Sequence, residues 1–214
     1  MSDHKLATNA LHAGHDTTQT GGTRAVPIYQ TSSYVFRDTD HAAKLFSLGE
    51  LGFIYTRLNN PTNQILQDRL AAVEGGIGAV VFASGTAAIS TGLLTLLKAG
   101  DHIVASSSLY GGTFNLLNVT LSRLGITTTF VDASNPENFG KAVQDNTRAI
   151  FVESLGNPKL DVLDLKAIAK QAKAAQVPFI VDNTVASPAL LNPIEHGANL
   201  VIHSLTKYIG GQGT

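Results

Sequence analysis

The sequence contains no cysteine, which excludes both a disulfide framework and a thiolate zinc site and fits an intracellular setting. An excess of one charge sign is also missing. Fifteen basic residues face 16 acidic ones for a formal net charge of -1, and no basic stretch exceeds an isolated residue or two, so no nucleic-acid partner is expected. No apolar run approaches the roughly 20 residues needed to span a bilayer. The start, Met1-Ser2-Asp3-His4-Lys5, lacks a basic region followed by an apolar one, which argues against a secretory leader. Internal repeats and low-complexity tracts are absent too. These absences together point to a cytoplasmic protein that binds no membrane. What is present is 214 residues at 43% hydrophobic content, enough for one large domain or one and a half with an ordinary core.

Residues 1–60 are rich in turn formers (Gly21-Gly22, Pro27, Asn59-Asn60-Pro61) and show little periodicity, which predicts an extended arm. Residues 61–214 form the second predicted region. There Ile65, Leu66, Leu70 and Val73 recur at helical spacing until Gly75-Gly76. Beyond that point apolar runs at 79–82, 102–105, 127–131, 149–152, 179–181 and 200–202 read as buried strands. Helix candidates near 86–98, 112–124, 136–144 and 164–175 lie between them. Such alternation predicts an α/β fold, with a mostly parallel sheet and helices on both faces. Open sheets of this kind bind small molecules at the carboxyl ends of their strands.

Several residues stand at those ends. Ser84-Gly85-Thr86-Ala87-Ala88 follows the first run and opens a helix, so it reads as an anion site or as a tight turn capped by Ser84. Asp182 ends the 179–181 run and reads as a buried carboxylate or a turn residue. After the last run, His203-Ser204-Leu205-Thr206-Lys207 would place the Ser204 and Thr206 hydroxyls on one side if strand geometry persists. Two hydroxyls beside an amine suit a phosphate monoester and an aldehyde, whereas a solvated loop lysine is the alternative. Tyr110 sits at another strand-to-helix junction, as a core residue or a site aromatic. His203 is expected to be a hydrogen-bonded core residue, and His12 and His15 lack companions that would complete a metal site. Phosphate cradle, aromatic, carboxylate and lysine together form the set that pyridoxal 5′-phosphate (PLP) requires.

On these residues the chain resembles the Cys/Met-metabolism family of PLP enzymes, fold type I, over essentially its whole length. The resemblance rests on Val26-Pro27-Ile28-Tyr29-Gln30-Thr31, Tyr55-Thr56-Arg57-Leu58-Asn59-Asn60-Pro61-Thr62, Ser84-Gly85-Thr86-Ala87-Ala88, Val181-Asp182-Asn183-Thr184 and Ser204-Leu205-Thr206-Lys207-Tyr208. It implies a seven-stranded type of sheet, Lys207 as the Schiff-base lysine, Asp182 as partner of the pyridine nitrogen and Tyr110 stacked on the ring. Ser84, Gly85, Thr86, Ser204 and Thr206 would serve the phosphate, and Asn157 the ring 3-hydroxyl. Tyr55 and Arg57 would reach the phosphate of a neighbouring subunit, so the arm implies a dimer at least and a tetramer by extension.

Within the family the chain is similar to O-acetylhomoserine sulfhydrylases, through Arg24-Ala25-Val26-Pro27, the spacer His41-Ala42-Ala43-Lys44-Leu45-Phe46, the run Gly156-Asn157-Pro158-Lys159-Leu160-Asp161-Val162-Leu163-Asp164, and Pro193-Ile194-Glu195-His196-Gly197-Ala198. Methionine γ-lyases typically carry cysteine where this chain has Gly112. The resemblance therefore implies γ-replacement on O-acetylhomoserine by sulfide or a thiol, giving homocysteine and acetate for methionine and cysteine biosynthesis. Lys207 would be the main acid and base, with Tyr110 assisting. A β- or γ-lyase and a non-catalytic PLP-binding half-protein are the competing expectations. The family's arginine for the substrate carboxylate falls beyond Thr214, and no residue here is assigned to it.

Overall fold

The computed structural model describes residues 4–211 and 213. The chain divides into two compact units, Met1–Val81 and Phe82–Thr214.

Among the described residues the first unit holds three helices, α1 (Leu6–His12), α2 (Thr39–Phe46) and α3 (Pro61–Glu74), and a 3-10 turn at Thr17–Thr20. The arm is thus not extended throughout. The start of α2 had a readable signal, since Asp38 caps it by accepting from the His41 N–H at 2.7 Å. The expected amphipathic helix is α3. Asn60 caps it, Pro61 occupies its first turn, and Gly75 ends it at φ +72°, a left-handed turn that favours glycine. Between the helices an isolated antiparallel bridge pairs Ser33 with Tyr55.

The second unit is a five-stranded parallel sheet in the order β2-β1-β3-β4-β5, formed by β1 (His102–Ser106), β2 (Thr127–Val131), β3 (Thr147–Glu153), β4 (Phe179–Asp182) and β5 (Leu200–Ile202). Alternate strand residues face opposite sides, as the pleat requires. Ile103, Ala105, Phe151 and Ile180 pack with Leu93 and Leu97 of α4 (Gly85–Leu96) and its exit and with Leu117 and Leu121. The last two lie in a continuous helical run, where α5 (Gly111–Asn115) passes through a π-type turn into α6 (Leu121–Arg123). On the other face Val104, Ile150, Val152 and Val181 pack with Phe139 of α7 (Glu137–Ala142) and with Leu165, Ile168 and Ala172 of α8 (Leu165–Ala174). Helices therefore cover both faces, as periodicity predicted, and the chain continues from β4 through a short α9 (Ser187–Leu190) and a 3-10 turn to β5.

One expected strand needs correction. Residues 79–82 form no strand: Val80 is 71% exposed, and the Val81 N–H donates to the Gln67 side chain at 3.1 Å instead of to a ladder. Apolar content gave that run strand character, but a strand exists only where a neighbour takes its hydrogen bonds. The seven-stranded sheet is accordingly represented by five strands among the described residues.

The strand order places a switch point between β1 and β3. The chain leaves β1 toward the α5–α6 face and leaves β3 toward the α8 face, so a crevice opens at their carboxyl ends.

Candidate active site

The carboxyl ends of the strands collect most of the residues singled out from sequence. Ser84 caps α4, its Oγ accepting from the Ala87 N–H at 3.1 Å, which is the turn reading of that residue. The next residue, Gly85, lies directly against the segment after β5. A Cβ placed there would stand 2.8 Å from the Ser204 Cβ and 3.2 Å from its Oγ. Only the smallest residue lets the helix N-terminus and Ser204 approach this closely, and the uncovered α4 N–H groups there suit a phosphate. Thr86 is exposed in the first turn of α4.

Ser204 links the cradle to the reactive groups. Its Oγ accepts from Lys207 Nζ at 3.4 Å, and its backbone N–H donates to Thr184 Oγ1 at 2.8 Å. Thr184 in turn donates its hydroxyl at 2.5 Å and its N–H at 3.0 Å to Asp182 Oδ1. A continuous hydrogen-bonded chain thus runs from Lys207 through Ser204 and Thr184 to Asp182, with Gly85 packed against Ser204. Thr184 belongs to a motif noted in the sequence but was given no role there.

Strand geometry does not persist past β5. The chain turns at once, with the Lys207 N–H donating to the Ser204 carbonyl at 3.2 Å, so Thr206 does not share a face with Ser204 by strand alternation and is exposed. The turn brings Lys207 back over Ser204. His203 is half-buried just beyond β5, not a core residue, and its charge acts on Asp182. His15 is hydrogen-bonded through Nε2 to Thr20 Oγ1 at 2.9 Å, an ordinary structural contact.

Asp182 is half-buried at the end of β4, and burial pushes its carboxyl above the usual range against the Thr184 hydrogen bonds and the positive charges of His203 and Lys207. A desolvated carboxyl of this kind favours a cationic N–H partner. Beside it in register stands Glu153, the last residue of β3, which sequence reasoning passed over although it ends a strand just as Asp182 does. Burial raises Glu153 to about 7, with further upward pushes from Asp182 and Asp161, while the N–H groups of Tyr110 and Asn157 oppose the shift. The Tyr110 N–H donates to Glu153 Oε1 at 2.7 Å, and the Tyr110 side chain itself is 51% exposed, so it is not a core residue. Asn157 lies in the loop after β3, past Ser154, Leu155 and Gly156.

Tyr55 and Arg57 belong to the other unit, where the Arg57 guanidinium lies 4.9 Å from the centre of the Tyr55 ring. A cavity of about 640 Å³ also opens in that unit, among His12, His15, Tyr29, Tyr34, Phe53 and Asp68, and it contains none of the candidate residues.

The site residues fit the phosphate, ring nitrogen and amine-linked aldehyde of PLP: a glycine cradle that a Cβ would fill, a desolvated carboxyl, and a lysine held by the serine that joins them.

Comparison with known proteins follows the same line. The chain is 58% identical to an O-acetyl-L-homoserine sulfhydrylase of Leptospira meyeri, over 98% of this chain and 48% of that protein. It is 51% identical to a homocysteine synthase of Schizosaccharomyces pombe, over 100% of this chain and 50% of that one. It thus spans about half the length of the curated relatives it matches. A solved structure from Campylobacter jejuni, described as an O-acetylhomoserine (thiol)-lyase carrying N′-pyridoxyl-lysine-5′-monophosphate, superposes with a TM-score of 0.95 at 43% identity, covering 99% of this chain and 52% of that one. Because the family model matches residues 7–214, essentially the whole sequence, the chain belongs to the Cys/Met metabolism PLP-dependent enzyme family.

Proposed function

We propose that the protein carrying this chain replaces the acetate of O-acetylhomoserine with sulfide or a thiol, giving homocysteine and acetate in methionine and cysteine biosynthesis. The Cγ–O bond to the acetyl group breaks, a Cγ–S bond forms, and hydrosulfide supplies the sulfur. The observation that carries this reading is the relay that joins Lys207 and Asp182 through Ser204 and Thr184 beside the Gly85 cradle. The 58% identity to a sulfhydrylase supports this reaction over the others of the family.

Bound PLP supplies an electron sink for carbanion chemistry at the substrate Cα. Lys207 Nζ would hold the cofactor through its aldehyde and would move the substrate Cα proton. Ser204 orients that amine. Asp182 holds a proton on the ring nitrogen, because a carboxylate beside a nitrogen favours its charged form. Tyr110 would cover the ring and assist proton transfer with its phenol. Ser84, Gly85, Thr86, Ser204 and Thr206 would receive the phosphate, and Asn157 would serve the ring 3-hydroxyl.

Residues 1–60 serve as an arm that contacts a neighbouring subunit, where Tyr55 and Arg57 complete the partner's phosphate site in a homo-oligomer of two or four copies. A guanidinium takes a phosphate in a bidentate grip. Ile28, Val35 and Leu51 in this arm are 84%, 98% and 89% exposed, apolar surface that a second copy would bury. The cytoplasm is the proposed compartment.

The test offers O-acetylhomoserine to the native polypeptide with and without sulfide. Homocysteine formed only with sulfide supports the proposal; a keto acid released without any thiol would make the protein a lyase. Lys207→Ala should lose the cofactor's visible absorption band and its borohydride sensitivity, and retention of both would sink the assignment of Lys207.

A further inference from the structure

The crevice at the switch point raises a mechanical problem. The ladder between β1 and β3 ends at Ala105 with Phe151. Beyond it the two strands part company: the Ser107 N–H bonds Val131 of β2, whereas the Ser154 N–H bonds Asp182 of β4. The loops that carry Tyr110 and Asn157 therefore leave neighbouring strands in opposite directions, and the ladder no longer ties one to the other.

Side-chain carboxylates tie them instead. Glu153, at the end of β3, accepts the Tyr110 N–H of the post-β1 loop at 2.7 Å, so one buried carboxyl joins the two strand ends, and the Asn157 backbone of its own loop acts electrostatically on the same carboxyl. At the far end of the post-β3 loop, Asp161 Oδ1 accepts from Ser108 Oγ at 2.6 Å. That loop is closed on itself by the Leu155–Val162 bridge and by the Gly156 N–H to the Asp161 carbonyl at 3.0 Å. Its seat is tight: a Cβ on Gly156 would lie 2.5 Å from the Ser108 Oγ. Buried carboxyls are costly to desolvate, and a carboxyl placed where it accepts a backbone N–H recovers part of that cost as a charge-assisted hydrogen bond.

We propose that Glu153 is the positioning residue of the site, fixing the backbone of Tyr110 and of Asn157 in register across the β1–β3 crevice. This rests on the reading of Tyr110 as the residue that covers the cofactor ring. Glu153 itself touches neither ring nor substrate in this assignment; it acts through the two loops, with Asp161 and Ser108 as the second tie.

Amide hydrogen exchange of the native polypeptide, read with and without PLP, tests the inference directly. In Glu153→Ala the Tyr110 and Asn157 amides should lose protection at least tenfold while Ile103, Val104 and Ile150 in the sheet keep theirs. Glu153→Gln, which retains one acceptor oxygen, should fall between the two. Unchanged protection at Tyr110 and Asn157, or an equal loss across β1 and β3, would overturn the proposal. If the alanine variant does not fold, the glutamine variant carries the same criteria with an expected loss of about threefold. Tyr110→Ala provides the separate control: an unaltered PLP affinity there would refute the ring reading of Tyr110 whatever the exchange shows for Glu153.

Discussion

The two ends of the parallel sheet both bury polar groups, and they treat them differently. At the amino end, His102 is sequestered with Nδ1 2.8 Å from Thr147 Oγ1 and Nε2 2.9 Å from Thr129 Oγ1, so both ring nitrogens are satisfied. Neighbouring Asp101 accepts the Lys98 N–H at 2.9 Å and lies 3.5 Å from Arg148 Nε. At the carboxyl end, Glu153 and Asp182 stand side by side in register, each made a weaker acid by burial. One end closes its polar groups into neutral or ion-paired bonds; the other keeps carboxyls in a desolvated row near a lysine. Burial acts at both ends, on a histidine whose two nitrogens meet threonine hydroxyls at one and on two adjacent carboxyls near a lysine at the other, and the second arrangement is the one expected of a site.

The comparison breaks most visibly under His102→Ala. Removing the ring leaves two threonine hydroxyls without their partner and opens a cavity, so unfolding stability should fall by about 2–4 kcal/mol, measured by urea denaturation. Affinity for PLP should stay within about twofold, since the lesion is at the opposite end of the sheet. A large loss of affinity at preserved stability would erase the distinction between the two ends.

Asp182→Asn should show the reverse pattern. The amide keeps the shape and avoids the cost of a buried charge, so the thermal midpoint should hold or rise while the reaction rate drops at least tenfold, roughly 1.4 kcal/mol of barrier. A smaller loss would reduce Asp182 to a turn residue.

The smallest effect is in the pH dependence, where the two ends should have opposite signs. The folded Glu153 binds its proton up to about 7 against an ordinary value of 4.5, so between those values the folded state holds more protons than the unfolded one. Its contribution to stability is present below 4.5 and is lost as pH rises through about 7. Glu153→Gln should flatten that segment of the stability curve. Burial lowers His102 from 6.5, so its contribution is present above 6.5 and is lost as pH falls below it. His102→Gln should flatten the acid side instead. Denaturant midpoints collected from pH 5 to pH 8 check both slopes, and slopes of the same sign would contradict the contrast.

How much of this was legible in the sequence differs between local and long-range features. Strands 127–131 and 200–202 were bounded correctly from apolar runs, and the helix 61–74 from its period, its Asn60-Pro61 start and its Gly75 stop. Residues 79–82 looked equally strand-like and form none, because apolar content does not reveal whether a neighbour will take the hydrogen bonds. Helices α1 and α2 were missed in a stretch whose turn formers dominate the pattern, even though Asp38 offered a cap.

Lys207, Asp182 and Tyr110 could be named from motifs at strand ends, since the alternation of strand and helix fixes which side of the sheet those residues reach. That information is local: composition, period and spacing each concern residues close in the chain. The pairing of Gly85 with Ser204, the bridge of Thr184 between Ser204 and Asp182, and the hold of Glu153 on Tyr110 join residues 20 to 119 positions apart. Those depend on strand order, and the sequence alone left that order open because every parallel arrangement of the same strands buries nearly the same apolar faces. The order β2-β1-β3-β4-β5 put Glu153 beside Asp182 and opened the crevice it spans, and only tertiary structure decided it.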